Sequence, residues 1–207
     1  MRVSYAAMAG HIALLGDSIF DNRTYTRGEP DVVTHLSSIL PRGYRASLLA
    51  VDGAIAAGVP RQLSGVTPDV TNLVVSMGGN DALSNADLLD LPVRSTREAL
   101  LIFGERVRDF EIAYRSSIGA VLELGRSTTV CTIYDGNLGP REAPVARIAL
   151  MLFNDVIVRV AHERKLGLVD LRLVCTEPSD YANPIEPSGS GGAKIARAIV
   201  ASLGLLR

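Results

Sequence analysis

The 207 residues of this chain, 47% hydrophobic and 21% charged, suffice for one domain with a substantial core and fall short of two. A formal net charge of −1, with lysines and arginines scattered and no basic run, leaves no electrostatic footprint for nucleic acid or an anionic membrane. Two cysteines, Cys131 and Cys175, are too few for a disulfide framework and match no metal spacing, so no metal or cofactor is expected. No stretch reaches the roughly 18 apolar residues of a membrane span, and Met1–Gly10 hold no segment long enough for a leader. The expectation is a soluble, cytoplasmic protein with reduced thiols.

In chain order, the first apolar run is Ile12–Leu15, which ends abruptly in Gly16-Asp17-Ser18. A short helix follows Pro30, with Val32, Val33, Leu36 and Leu40 on one face, and stops at Pro41. A second run, Ala46–Val51, leads to Asp52-Gly53. The third, Leu73–Met77, ends in Gly78-Gly79-Asn80-Asp81. Ser95-Thr96-Arg97-Glu98 has the form of a capping box, which predicts a helix start there. Phe103, Val107, Phe110, Tyr114, Ile118 and Val121 then recur at helical spacing between Ala99 and Leu122. A fourth run, Thr128–Ile133, delivers Tyr134-Asp135-Gly136-Asn137, and a second long helix runs from about Pro144 to His162. The fifth run is Leu166–Leu171, and a last helix from about Gly192 carries Ile195, Ile199 and Leu203.

Short apolar runs alternating with amphipathic helices predict a parallel sheet covered on both faces. In such sheets the loops at the strand C-terminal ends gather on one edge, where ligands bind. Ser18, Gly53, Asn80, Asp135 and the segment after Leu171 should therefore converge. A serine on one loop and a Gly-Asn pair on another are a candidate nucleophile and a candidate oxyanion clamp. A nucleotide-binding reading has little support, since no Gly-x-Gly-x-x-Gly follows the first run.

This set of motifs resembles the SGNH hydrolases, also called the GDSL esterase/lipase superfamily. Gly16-Asp17-Ser18 is similar to that family's first block, whose serine is the nucleophile. Gly53 matches the second-block glycine, which donates its backbone N–H to the oxyanion, and Gly78-Gly79-Asn80-Asp81 matches the third block, whose asparagine donates its side-chain amide. The resemblance covers essentially the whole chain. It implies one domain over 1–207 with a three-layer α/β/α, flavodoxin-like fold and a five-stranded parallel sheet. It also implies a serine ester hydrolase acting on a small-molecule acyl ester through Ser18, Gly53 and Asn80.

The family's fifth block, Asp-x-x-His, supplies the base and the residue that orients it. Here Asp180-Tyr181-Ala182-Asn183 stands in its place. An amide cannot accept a proton near neutral pH, so Asn183 cannot be that base. Of the histidines, His11 and His162 belong at the opposite sheet edge, while His35 starts from the correct one. Glu186 and Asp135 are the carboxylate candidates, and a carboxylate would need its pKa raised to serve. Asp17 reads most simply as a residue that holds the turn. Two functions follow: a slow ester hydrolase lacking the usual imidazole, or a ligand-binding protein on the same scaffold.

Overall fold

A computed structural model describes residues 9–206, so most of the opening segment read above for a leader lies outside the described residues. Five strands, β1 (Gly10–Gly16), β2 (Tyr44–Leu48), β3 (Asn72–Ser76), β4 (Ser127–Cys131) and β5 (Gly167–Val169), form one sheet in the order β2-β1-β3-β4-β5. All four pairings are parallel. β1 is buried along its whole length, as expected of a parallel strand flanked on both sides and covered on both faces.

The period of two along the strands divides the core. Ala13 and Leu15 of β1, with Leu73 and Val75 of β3, face α4 (Thr96–Glu123) and α5 (Glu142–Arg164), where Phe110, Ile118, Phe153 and Val156 complete one cluster. Ile12 and Leu14, with Val74 and Cys131, face α1 (Val32–Ile39) and α6 (Gly189–Ser202), where Leu36, Ile195 and Ile199 complete the other. The result is the expected three-layer α/β/α arrangement. Two short helices, α2 (Val59–Gln62) and α3 (Gly79–Leu83), follow β2 and β3. Among the described residues, no helix is long and apolar enough to cross a membrane.

Element boundaries follow local chemistry. Ser95 caps α4 by accepting from the Glu98 N–H, as the capping-box spacing predicts, but the Glu98 carboxylate accepts from the N–H of Arg94, one residue further out. α5 begins at Glu142, slightly before Pro144, because proline is tolerated in a first turn whose N–H groups lack partners. β5 is shorter than its apolar run. The Asp170 carboxylate accepts from Thr132 and from the Arg172 N–H, turning the chain into a 3₁₀ turn over Leu171–Leu173. α6 starts at Gly189, ahead of Gly192, where the Ser188 hydroxyl accepts from the Gly191 N–H. A Cβ on Gly191 would lie 2.1 Å from the Asp180 carbonyl oxygen, so only glycine lets α6 pack this closely on the loop before it.

Candidate active site

The exit of β1 is built to hold Ser18. Gly16 turns with φ +126°, and a Cβ there would overlap the Ser76 carbonyl oxygen at 1.7 Å. The buried amide of Gln62 brackets the same residue, accepting from the Gly16 N–H at 2.8 Å and donating to its carbonyl at 2.7 Å. Asp17 then closes the turn: its carboxylate accepts from the Ile19 N–H, and its carbonyl from the N–H groups of Phe20 and Asp21. Ser18 follows, buried and fixed in direction. At the exit of β4, the amide of Asn154 brackets Ile133 in the same two-bond fashion, both at 2.8 Å.

The Ser18 hydroxyl donates to Oε1 of Glu186 at 3.0 Å. Glu186 is buried, with 6% of its surface exposed, and its Oε2 has no hydrogen-bond partner among the described residues. The loop carrying it is tied at several points. Asn183 Oδ1 accepts from the N–H groups of both Ile185 and Glu186 at 2.9 Å. The Tyr134 hydroxyl donates to the Ile185 carbonyl at 2.6 Å, and Tyr181 bridges Pro187. Asn183 therefore acts on its own turn, and the residue it positions is Glu186.

Asp180 is fully buried and turned elsewhere. Its Oδ2 accepts from Lys194 Nζ of α6 at 2.7 Å and from the Glu177 N–H at 3.0 Å. The aspartate at the orienting position of the fifth block thus anchors α6 to the preceding loop through an ion pair.

Asn80 sits in the first turn of α3 and lines the same cavity as Ser18 and Glu186. Its Nδ2 donates one hydrogen to the Ala54 carbonyl at 3.0 Å, leaving the second for a ligand. Asp81 accepts from the Ala56 N–H at 2.9 Å, so two bonds join this loop to the one that carries Gly53. Gly53 itself is exposed with φ +76°, and it is not among the residues that line the cavity.

Burial raises two carboxyl groups beside the serine. Loss of hydration pushes Asp17 up to about 7, against the pull of the Ile19 N–H and with help from the nearby charges of Glu186 and Asp81. Loss of hydration likewise pushes Glu186 up to about 7, opposed by the Ser18 hydrogen bond and assisted by the charge of Asp52.

Among the described residues, none of the other candidates is hydrogen-bonded to Ser18. Asp135 lines the cavity but is held by Arg147 at 2.8 Å. His11, at the start of β1, joins Asp69 and Ser47. His35 packs where α1 meets α6, against Gly192, and His162 is exposed in the last turn of α5. Among the described residues, no cluster of three or more His, Cys, Asp or Glu side chains could hold a metal ion. Gln62, Asn154 and Lys194 carry no local sequence signal, because each acts on a partner distant in the chain.

Similar architectures are known. An α/β hydrolase from a Lake Arreo metagenome superposes with a TM-score of 0.70 at 21% identity, covering 97% of this chain and 98% of the other. A phospholipase A1 from Streptomyces albidoflavus gives 0.72 at 14% identity, covering 94% and 100%. An acetylxylan esterase from Geobacillus stearothermophilus gives 0.64 at 20%, covering 95% of each chain. No curated protein sequence matches this one. The model of the GDSL-like lipase/acylhydrolase family matches residues 14–191, a span that contains Ser18, Asn80 and Glu186, and the chain belongs to that family.

Proposed function

We propose that this protein is a serine ester hydrolase in which Ser18 is the nucleophile and Glu186 its general base. The observation that carries this reading is the 3.0 Å hydrogen bond from Ser18 Oγ to Glu186 Oε1. A pure binding site has no need for a buried hydroxyl aimed at a buried carboxylate. In the first step Oγ bonds to the ester carbonyl carbon as its proton passes to Oε1. The carbonyl oxygen takes the negative charge and is met by the free Asn80 amide hydrogen, with the Ser18 N–H as a further donor. The C–O bond to the alcohol then breaks, and protonated Glu186 returns the proton to the leaving oxygen. Water repeats the sequence: Glu186 takes its proton, hydroxide oxygen bonds to the acyl carbon, and the proton is handed back to Ser18 as the acid departs. A carboxyl near 7 is matched to this work, since it is ionised often enough to accept and acidic enough to donate.

Two buried, free cysteines fit the reducing cytoplasm proposed for the protein. The test is hydrolysis of p-nitrophenyl butyrate by wild type, Ser18→Ala and Glu186→Gln. Ser18→Ala should abolish turnover, and Glu186→Gln should lower it by about 10² to 10⁴. A Glu186→Gln rate equal to wild type would remove Glu186 as the base. Absence of turnover in the wild type would favour the binding-protein reading.

A further inference from the structure

The two residues that flank Glu186 are both held from outside their own loop. The Tyr134 hydroxyl, at the exit of β4, donates to the Ile185 carbonyl, and Asn22 Nδ2, past the exit of β1, donates to the Pro187 carbonyl at 3.1 Å. These bonds differ in what they connect. Tyr134 ties the loop to the sheet, whereas Asn22 ties it to the turn that carries Ser18. That turn is compact: Phe20 and Asp21 donate their N–H groups to the Asp17 carbonyl, and Tyr25 donates to the carbonyl of Asn22. Among the described residues, Ser18–Glu186 and Asn22–Pro187 are the only hydrogen bonds between residues 16–31 and 180–188.

Asn22 is itself fixed. It is fully buried, and its Oδ1 accepts from the Val32 N–H at 3.1 Å. Val32 opens α1 and packs in the apolar cluster that α1 and α6 share with the sheet. Turning the amide away would strand two buried backbone groups, which holds it in this one arrangement. In the mechanism above, the Ser18–Glu186 bond breaks and forms again as its proton leaves and returns. The Asn22–Pro187 bond carries no transferred proton and keeps the two loops in register throughout.

Resting on the hydrolase reading above, we propose that Asn22 is a positioning residue: it locks the loop of the base to the turn of the nucleophile and so sets the separation of Ser18 Oγ from Glu186 Oε1. The test compares wild type, Asn22→Leu and Asn22→Ser on p-nitrophenyl butyrate. Asn22→Leu removes both hydrogen bonds at similar bulk. Asn22→Ser leaves room for a water to satisfy the two backbone groups, so the fold is spared while the direct link is lost, and it serves where the leucine variant does not fold. Each variant should lower kcat by about 10- to 100-fold and leave KM nearly unchanged. A residue that only stabilised the fold would cost the same with or without the base. In a Glu186→Gln background there is no base to position, and Asn22→Ser should cost less than about threefold. Equal losses in the two backgrounds would overturn the assignment. The second readout needs no turnover: in a crystal structure of Asn22→Ser, Ser18 Oγ and Glu186 Oε1 should stand more than about 3.5 Å apart, beyond hydrogen-bond reach. If the wild type hydrolyses no ester, the hydrolase reading fails, and that separation alone decides whether Asn22 sets the geometry. If the wild type is active and the variant keeps the Ser18–Glu186 bond, the hydrolase reading stands and the role given to Asn22 falls.

Discussion

The base proposed for Ser18, Glu186, rests on surroundings that change what a carboxyl group does. In water a glutamate is ionised near neutrality and a feeble base; stripped of hydration by burial, and despite the Ser18 hydrogen bond, it holds its proton up to about 7. The rate should carry that signature. With ionised Glu186 required, kcat/KM should rise about tenfold per pH unit below 7 and level off above it. Glu186→Gln should remove the rising limb along with most of the rate. Asp17→Asn keeps an oxygen for the Ile19 N–H but takes away a neighbouring negative charge, so its limb should move to lower pH. A limb that stays in place in Asp17→Asn would show that the two carboxyls are not coupled. Asn183 acts one step further back. Asn183→Ala frees two N–H groups of the turn that aims Glu186, and a displacement of about 1 Å is enough to lower kcat on the order of 10²-fold. Asn183→Asp retains an acceptor and should recover most of the rate, a rescue that general loss of stability would not show.

Elements place these residues, and two buried amides place the elements. Gln62 at the end of α2 and Asn154 in the middle of α5 each satisfy both backbone groups of a residue leaving the sheet. Gln62→Leu has similar bulk but leaves the Gly16 N–H and one of its carbonyl contacts unpaired in a buried site. Urea unfolding should show a loss of about 1–3 kcal/mol, with the ester rate falling as the Ser18 turn loosens. An unchanged unfolding midpoint would mean that Gly16 finds other partners. These clamps mark where the sequence stops being legible. The strands could be read because parallel strands are continuous apolar runs, and α4 because its stripe and its Ser95 cap agree. Gln62 pairs with a glycine 46 positions away, which no local pattern encodes. The fifth block was readable as Asp180-Tyr181-Ala182-Asn183, yet its meaning lay in tertiary partners. Lys194, one α6 turn beyond Gly191, takes Asp180, and Asn183 folds back on its own loop. Glu186 could be named only as one carboxylate among several until its distance from Ser18 was known.

At the scale of the whole molecule, the carboxyls proposed to serve the reaction also oppose folding when ionised, and the two effects should run in opposite directions with pH. Asp17 and Glu186 are raised to about 7 by burial, from unfolded values near 4, and Asp81 is raised as well. A folded-state pKa above the unfolded one means that the native protein binds protons more tightly. The resulting stability is fully present below about pH 4 and is lost as the pH rises through about 7. Carboxylates in ion pairs behave in the opposite sense. Glu111, held at about 2 by Arg159 and Arg115, and Asp170, lowered by Arg172, contribute stability above their unfolded values and lose it only in acid. Between about pH 5 and 7 those paired groups are ionised in both states, so the raised carboxyls set the carboxylate share of the slope. The melting temperature should therefore fall as the pH rises across that window, while the ester rate climbs. In the double variant Asp17→Asn with Glu186→Gln, two of the titrating groups are gone, and the slope of melting temperature against pH should flatten relative to wild type. Equal slopes in calorimetric scans of the two proteins would show that these carboxyls are hydrated in the folded state, and the base assigned to Ser18 would lose its physical basis. A flattened slope together with a lost rate limb would tie both to one event, the ionisation of Glu186 inside the fold, which activates the serine at the expense of stability.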